Sequence, residues 1–396
     1  MIETLLVRQL IGNSGPKEND LSFAKQVSRR ELGKFAIGGA LGATVAGRPP
    51  ITSASSANPA PLPPRPSGIR LALDAPAHPK DEDIMFFKQL GVDCVDVRGA
   101  KAEDQTVEGL RAIKKRYADA GLMINDADNS VVNSNLADIV LNNPGRDAAI
   151  EAYKSWIRTM GEAGFTRIKP IQYNATSGVT SGEAATRGSH DRDVDLNSSE
   201  LTFRNHGKGQ ANSPLFGREY SREEIWENYT HFIKQVAPVA EEAGVKIGLH
   251  PDDPPCPSLF GVPRILSSFE DCEKALKIAN SPNVGLCFAT GSWLAGGPAM
   301  GVDPTDAIRH FASQKQLFAV YIRNPSSPLP HYHDTYVDDG YFDIYKIMKA
   351  LVDVKYDGEV AIDHDMKMVG GPRTYGAFGI GYMRALLQHA RAGHAS

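Results

Sequence analysis

The sequence predicts an α/β fold, specifically a (β/α)8 TIM barrel with a long inserted loop after strand four. Three observations support this fold class. From residue 69 onward, short apolar runs typical of buried strands alternate with longer runs of helical periodicity. Eight such strand and helix pairs can be counted, and eight is the number that closes a barrel of this kind. The 396 residues and their 41% hydrophobic content are enough to form one large core.

The predicted strands are short runs rich in aliphatic residues, at 69–73, 94–97, 123–126, 167–171, 246–250, 284–288, 318–322 and 359–363. The predicted helices lie at 81–90, 102–120, 146–163, 221–243, 268–280, 304–314, 342–354 and 374–390. Several helical runs are followed by a glycine typical of helix C-caps, namely Gly91, Gly121, Gly164 and Gly244. An open doubly wound sheet is the alternative, but residues 73–76 lack the glycine-rich phosphate loop expected after its first strand.

The first part of the chain reads as a targeting segment rather than as part of the barrel. Arg29 and Arg30 precede a weakly apolar run at 36–46 that is rich in Gly and Ala, a pattern typical of a bacterial twin-arginine export signal. This run is shorter than the roughly 20 apolar residues that a membrane span requires, so we expect no stable membrane anchor. We predict a signal peptide at 1–57, a proline-rich linker at 58–67, the barrel at 68–396, and a periplasmic or secreted location.

Charge and cysteine content exclude other classes of protein. The formal net charge is −4, and no basic stripe with interleaved aromatic residues is present, so nucleic acid is not an expected partner. Four cysteines in a chain of this length do not indicate a disulfide scaffold. Cys94 and Cys287 lie in apolar strand-like runs, which predicts that they are buried. The oligomeric state stays open, with a homo-oligomer as one alternative.

A long polar insertion at 173–220 separates the fourth predicted strand from its helix. Loops of this length in a compact domain are usually lids or disordered segments. Because the insertion follows the carboxyl end of a strand, we expect it to cover the active site. Its arginines Arg187, Arg192 and Arg204 are candidates for contacting a substrate carboxylate.

Polar residues collect where the predicted strands end. In a barrel the carboxyl ends converge, which would bring together Asp126, His250, residues 289–292, Arg323, Asn324 and residues 363–365. His250 begins the segment His-Pro-Asp-Asp-Pro-Pro at 250–255, whose prolines must end the strand and stiffen the loop. Histidine and carboxylate groups suit Mn²⁺, Fe²⁺ or Zn²⁺. The alternative for His250 is a histidine that serves structure alone.

These motifs carry a resemblance to a known family. The segment 250–255, the segment Phe-Gly-Val-Pro-Arg-Ile at 260–265 and residues 238–244 resemble the mannonate dehydratases, a family of sugar-acid lyases. The resemblance extends roughly over 69–387 and is densest from residue 229 onward. It implies metal-dependent dehydration of a sugar acid, D-mannonate to 2-keto-3-deoxygluconate or a related acid. It also implies a divalent cation, Mn²⁺ first, with Fe²⁺ or Zn²⁺ as alternatives.

By this resemblance, His250 and Asp363 are metal ligands, but two further ligands of the family are not matched. Ala289 stands where the family has a cysteine, and Tyr321 stands where it has a histidine. Tyr321 itself, as a phenolate, and the nearby residues Cys287, His331 and His333 are candidates for replacing the missing donors.

The resemblance also suggests roles in acid–base chemistry and substrate binding. The candidate general acids or bases are Tyr321, Asp334 and His364, and the candidate substrate-binding residues are Arg323, Asn324 and Asp252. Asp252 and Asp253 are also candidates for orienting His250, with a helix or turn cap as the structural alternative. Two other functions stay open: a sugar isomerase or epimerase on the same barrel, and a carbohydrate-binding protein that has lost its metal.

Overall fold

The computed structural model describes residues 68–128, 132, 136–203 and 207–393. The predicted signal peptide at 1–57, the predicted linker at 58–67 and the candidate Arg204 lie outside the described residues.

Fifteen strands can be assigned in the described residues. In chain order they are β1 (Arg70–Pro76), β2 (Cys94–Arg98), β3 (Met123–Ala127), β4 (Ile171–Gln172), β5 (Gly182–Thr186), β6 (Ser189–Asp195), β7 (Leu201–Phe203), β8 (Gly207–Gly209), β9 (Ile247–His250), β10 (Ser258–Leu259), β11 (Val262–Pro263), β12 (Val284–Ala289), β13 (Leu317–Ile322), β14 (His331–His333) and β15 (Glu359–Ile362). Eight of them form one curled parallel sheet in the order β3-β2-β1-β15-β13-β12-β9-β4. These eight are the predicted barrel strands, so the predicted fold class is confirmed.

The fourth barrel strand is shorter than predicted. Only Ile171 and Gln172 pair in register with β9, and before them a single parallel bridge joins Arg167 to Lys246. Pro170 interrupts this stretch because proline has no backbone N–H to donate. Among the described residues no ladder joins β4 to β3, and a side-chain ion pair crosses this seam instead, with Arg167 Nη2 2.6 Å from Asp126 Oδ2.

Ten α-helices follow or accompany the strands. They are α1 (Asp81–Leu90), α2 (Val107–Ala118), α3 (Leu136–Val140), α4 (Arg146–Glu162), α5 (Arg222–Glu242), α6 (Phe269–Ala279), α7 (Thr290–Gly296), α8 (Pro304–Ser313), α9 (Ile344–Asp353) and α10 (Pro372–Ala392), all within the described residues. All eight predicted helices are present, whereas the short helices α3 and α7 were not predicted. The predicted helix at 102–120 is divided, because the Thr106 side chain accepts a hydrogen bond from the Gly109 N–H (3.1 Å) and starts α2 there.

Glycines end several helices as predicted. Gly91, Gly121, Gly164 and Gly244 all have positive φ angles, between 63° and 80°, which is the left-handed conformation that ends a helix at little steric cost. The core lies between the sheet and the helices, and every residue of β12 is buried. All four cysteines are buried and unpaired, which confirms the prediction for Cys94 and Cys287.

The insertion is ordered over its described residues. β5 and β6 form a hairpin, and β14, which follows barrel strand β13, adds to β6 as a third antiparallel strand. A second hairpin joins β7 to β8, and a bridge between Thr180 and Thr202 links it to the start of the first. The insertion therefore lies at the carboxyl ends of the barrel strands, where the active site was predicted. Within the described residues, no helix is both long enough and apolar enough to span a membrane.

Candidate active site

A cleft of about 410 Å³ opens where the insertion meets the barrel strand ends. Its walls are formed by Gln172, Gly178, Thr180, Arg192, Thr202, Phe203, Asp253 and His364. Five of these eight residues belong to the insertion, while Gln172, Asp253 and His364 follow or end barrel strands. A volume of this size lies within the range of small-molecule sites, roughly 300 to 1,000 Å³.

His250 ends β9 and is buried beside the cleft. Its Nδ1 atom lies 2.6 Å from the carbonyl oxygen of Pro251, and since a carbonyl only accepts, the imidazole proton must be on Nδ1. Nε2 therefore keeps its lone pair. Burial lowers the pKa of His250, and the charge of Asp363 partly opposes this fall. A neutral imidazole with Nε2 available is the form of histidine that binds a metal ion.

Asp363 follows β15 directly, and its side chain is 14% exposed. Its Oδ2 atom lies 3.4 Å from Arg323 Nε, and its Oδ1 atom lies 3.8 Å from His364 Nε2. His250 ends β9 and Asp363 follows β15, and these two strands run parallel in the same sheet. The structure thus keeps the two matched ligands of the resemblance at the same end of the barrel.

The residues at the two unmatched ligand positions do not provide a side chain that can readily bind a metal ion. Ala289 is buried and caps the start of α7. The Tyr321 hydroxyl faces the barrel interior, 3.4 Å from Asp96 Oδ2 and 3.5 Å from Arg98 Nη2. Burial raises the pKa of Tyr321 well above its usual range, so the phenol is neutral and is a poor ligand.

Of the other candidates for replacing a donor, Cys287 and His331 are unsuited in this conformation. Burial raises the pKa of the Cys287 thiol well above its usual range, which keeps it protonated. His331 lies on β14 and pairs through Nε2 with Asp193 Oδ1 at 2.8 Å. His333 lies on the same strand, where its backbone N–H donates to Ser326 Oγ at 3.0 Å.

A buried acidic cluster that the sequence did not predict lies deeper in the barrel. Among the described residues, Asp96, Asp126 and Glu359 are the one group of three potential metal ligands with donor atoms within 4.8 Å of one another. Arg167 Nη2 already contacts all three carboxylates, including Asp126 Oδ2 at 2.6 Å and Asp96 Oδ1 at 3.7 Å. Arg98 Nη1 adds a second contact to Asp126 at 2.5 Å. Two guanidinium groups therefore already pair with these three carboxylates, and we interpret the cluster as a structural ion network.

Arg323, at the end of the β13 segment, is held by three carboxylates. Its Nη2 lies 3.0 Å from Asp253 Oδ2, its Nη1 2.6 Å from Asp334 Oδ1, and its Nε 3.4 Å from Asp363 Oδ2. A Cβ atom at Gly291 would lie 2.3 Å from Arg323 Nε, so α7 can pass this guanidinium only with glycine there. Arg323 was predicted to bind substrate, but the structure uses its donors to align the carboxylates of the site.

Asp334 and His364 form a hydrogen-bonded pair. His364 Nδ1 lies 2.8 Å from Asp334 Oδ2, and the His364 ring lines the cleft. Burial acts to raise the pKa of Asp334, but Arg192 and Arg323 lower it well below its usual range. Asp334 is thus a permanent anion that orients His364, rather than a group that exchanges protons. Of the three predicted acid–base residues, His364 is the one that lines the cleft.

Two predicted substrate-binding residues have structural contacts instead. Asn324 donates to the carbonyl of Phe342 at 2.8 Å and accepts from the Phe342 N–H at 3.3 Å, which fixes the following loop. Asp252 is fully buried and accepts from Arg264 Nη1 at 3.2 Å and from the Leu266 N–H at 2.9 Å. Neither residue lines the cleft.

Of the insertion arginines, Arg187 lies at the surface and pairs with Asp338 and Asp339. Arg192 reaches the cleft and pairs with Asp253 and Asp334. Asp253 lines the cleft, which was not predicted. The sequence suggested only that Asp253 supports His250. The signal in the sequence was the pair of adjacent aspartates between two prolines. In the structure Asp252 holds a loop, whereas Asp253 lines the cleft.

The described residues have the xylose isomerase-like TIM-barrel fold. The mannonate dehydratase from Streptococcus suis serotype2 superposes with a TM-score of 0.65 at 23% identity, covering 84% of this chain and 96% of that one. A xylose isomerase domain protein from Planctomyces limnophilus superposes with a TM-score of 0.55 at 12% identity, covering 83% and 100%.

The sequence is similar to one family with this fold. Residues 215–391 match the family model UxuA, described as D-mannonate dehydratase. The mannonate dehydratase of Thermotoga petrophila is 29% identical over 312 residues, which cover 71% of this chain and 82% of that protein. These matches support the predicted resemblance to the mannonate dehydratase family, and the matched segment contains His250, Arg323, Asp334, Asp363 and His364.

Proposed function

We propose that this chain is a hydro-lyase that removes water from a sugar acid, D-mannonate or a related acid, with the help of a divalent cation. The observation that carries the proposal is the position of His364. This histidine lines the cleft, is bonded to Asp334 through Nδ1, and lies 3.8 Å from Asp363 through Nε2. The match of residues 215–391 to D-mannonate dehydratase supports the choice of reaction.

His250 and Asp363 would hold the cation, and Mn²⁺ is our first choice, with Fe²⁺ or Zn²⁺ as alternatives. The fit rests on the free Nε2 of His250, which the hydrogen bond from Nδ1 to Pro251 secures. Two protein ligands are few, but hard divalent cations often keep water and bind substrate oxygens beside one or two protein groups. When bound, the cation would polarise the substrate carboxylate and stabilise the negative charge that develops on it.

The chain's own residues would carry the protons. The proton next to a carboxylate is very weakly acidic, so a positioned base must remove it while the developing charge is stabilised. His364 Nε2 is that base, because Asp334 holds the other ring nitrogen in its protonated form. His364 then returns this proton to the hydroxyl on the neighbouring carbon, which leaves as water, and the enol that remains becomes the 2-keto-3-deoxy acid. Arg323 keeps Asp253, Asp334 and Asp363 aligned through this cycle.

Incubation of the purified, Mn²⁺-supplied protein with D-mannonate and related sugar acids tests the reaction. We expect a 2-keto-3-deoxy acid to form, and we expect His364→Asn to lower kcat by about 10²- to 10⁴-fold, the usual contribution of a general acid or base. Formation of an isomer or an epimer instead would show that the protein is a sugar isomerase or epimerase. Binding without turnover would indicate a carbohydrate-binding protein.

We also propose that the chain is exported to the periplasm or beyond by the twin-arginine route. The proposal is supported by Arg29 and Arg30 and by the short apolar run at 36–46 that follows them. Replacement of both arginines by lysine should retain the full-length protein in the cytoplasm, as measured by fractionation of cells that express either form. Equal export of the two forms would contradict the proposal.

A further inference from the structure

Two arginines and two aspartates form a closed ring at the cleft. Arg192 contacts Asp334 Oδ2 through Nε at 3.2 Å and Asp253 Oδ2 through Nη2 at 3.0 Å. Arg323 contacts the same two carboxylates, Asp334 Oδ1 at 2.6 Å and Asp253 Oδ2 at 3.0 Å. Each aspartate is therefore bridged twice, and each arginine bridges two aspartates. We call these four residues the arginine–aspartate ring.

The ring is buried and fully ionised. The side chains of Arg323, Asp253 and Asp334 are at most 7% exposed, and that of Arg192 is 16% exposed. Burial acts to raise the pKa of Asp253, but Arg192 and Arg323 lower it well below its usual range. Two positive and two negative charges balance within the ring. Loss of one member leaves the buried charges unbalanced, so the arrangement depends on all four residues.

The four members come from different parts of the chain. Asp253, Arg323 and Asp334 lie inside the segment that matches D-mannonate dehydratase, residues 215–391, whereas Arg192 lies on β6 of the insertion, outside that segment. The backbone N–H of Asp334 also donates to the carbonyl of Arg192 at 2.9 Å. Arg192 thus connects the insertion, by main chain and side chain, to the aspartate that orients His364.

Most donors of the Arg192 guanidinium are already used by protein partners. Its Nε is bonded to Asp334, its Nη2 to Asp253 and to the Tyr332 hydroxyl (3.2 Å), and its Nη1 lies 3.5 Å from the Val179 carbonyl. These contacts use every nitrogen of the guanidinium. They argue against the earlier expectation that Arg192 binds a substrate carboxylate, and they indicate a role that acts through its protein partners.

We propose that Arg192 is a positioning residue that fixes Asp334, and through it His364, so that the ordered insertion becomes part of the active site. The inference rests on the proposed acid–base role of His364. In the absence of the Arg192 guanidinium, Asp334 Oδ2 would keep only His364 as a side-chain partner, and the aspartate could turn toward Arg323. His364 would then lose its fixed tautomer and orientation.

Arg192→Gln and Arg192→Lys test this role, with Arg187→Gln as the matched control. Arg187 is also an insertion arginine paired with two aspartates, but it is 42% exposed, and the carboxylates that His364 contacts are Asp334 and Asp363 instead. We expect Arg192→Gln to lower kcat about 10- to 100-fold with KM nearly unchanged, as for other groups that orient a site residue. Lysine cannot bridge two carboxylates in the same plane, so Arg192→Lys should restore only part of kcat.

A second readout does not depend on turnover. The Nδ1 proton of His364, bonded to Asp334, should give a low-field proton NMR signal that is assigned by its loss in His364→Asn. We expect the signal to disappear in Arg192→Gln and to persist in Arg187→Gln. Wild-type kcat and an unchanged signal in Arg192→Gln would overturn the inference, as would a rise in KM alone. If the wild-type protein turns over no sugar acid, the proposed function fails, while the signal still decides the role of Arg192.

Discussion

His364 Nδ1 lies 2.8 Å from Asp334 Oδ2, and this contact joins a residue at the end of the last barrel strand to a loop that follows the seventh. The contact decides the chemistry of both residues. Because Asp334 also pairs with two arginines, its carboxyl stays ionised and the proton stays on the imidazole. His364 is left with one ring nitrogen, Nε2, for acid–base work in the cleft.

Asp334→Asn should reduce both stability and activity. The substitution leaves Arg192 and Arg323 with one carboxylate fewer, and breaking a buried ion pair typically costs about 3 to 5 kcal/mol. We expect a fall of that order in the free energy of unfolding, measured by urea denaturation, and a loss of lyase activity. Asp338→Asn is the control, because Asp338 pairs with the exposed Arg187. Retention of full activity by Asp334→Asn would contradict the role of this pair.

Gly291→Ala should disturb the site from the side of α7. The added Cβ would lie 2.3 Å from Arg323 Nε, so the guanidinium has to move away from its carboxylates. Overpacking of this kind usually costs about 1 to 3 kcal/mol, and we expect kcat to fall as well. Gly381→Ala is the control, since a Cβ there meets no atom within 4 Å and should stabilise α10 by up to about 1 kcal/mol. If the two variants had the same stability and the same kcat, this packing argument would be wrong.

Arg167→Met tests whether the buried acidic cluster is structural. Without this guanidinium, Asp96, Asp126 and Glu359 keep Arg98 as their remaining cation within the cluster, and we expect a loss of about 3 to 5 kcal/mol in stability. The metal content per chain should not change. Lys208→Met, which breaks an exposed pair with Glu200, should cost less than about 1 kcal/mol. Loss of bound metal in Arg167→Met would instead make the cluster a metal site.

The same cluster should make stability depend on acid pH. Burial acts to raise the pKa of Asp126, but Arg98 and Arg167 lower it to about 2, below its value of about 3.9 in unfolded chains. The unfolded state therefore binds more protons between these values, so the contribution of Asp126 is present above about pH 4 and is lost as the pH falls toward 2. Its size is roughly 2 to 3 kcal/mol.

Urea unfolding of the wild-type protein and of Asp126→Asn over this pH range measures the effect. The wild-type protein should lose stability more steeply with falling pH than the variant. Burial and, in part, the charge of Asp126 raise the pKa values of Asp96 and Glu359, so their protonation acts in the opposite direction, but at pH values above the range in which Asp126 is protonated. Parallel pH profiles for the two proteins would show that Asp126 is not held as an anion in the fold.

Local patterns were sufficient to predict the barrel because each strand and helix carries its own periodicity and its own end signals. The fourth strand shows where such patterns fail. Its apolar run predicts five residues, but Pro170 lacks a donor and Arg167 turns into the barrel to meet partners 41 and 192 residues away. No local pattern encodes contacts of that separation.

The candidate site divides in the same way. The places of His250, Asp363 and His364 in the fold could be predicted because each ends or follows a barrel strand, and such ends converge. The arginine–aspartate ring could not, because Arg192 meets Asp253 across 61 positions and Asp334 across 142. Asn324 and Asp252 were predicted from their positions in the motifs, yet their hydrogen bonds to backbone groups use them to hold loops.

The most direct measurement compares the wild-type protein with His250→Ala, with bound Mn²⁺ and the release of a 2-keto-3-deoxy acid from D-mannonate determined in the same samples. We expect the wild-type protein to bind Mn²⁺ and to release the product, and we expect His250→Ala to do neither. Cys287→Ala should behave as the wild type, because its thiol is buried and protonated. Product release by metal-free protein at the wild-type rate, or no release from any sugar acid by the Mn²⁺-loaded wild type, would contradict the account.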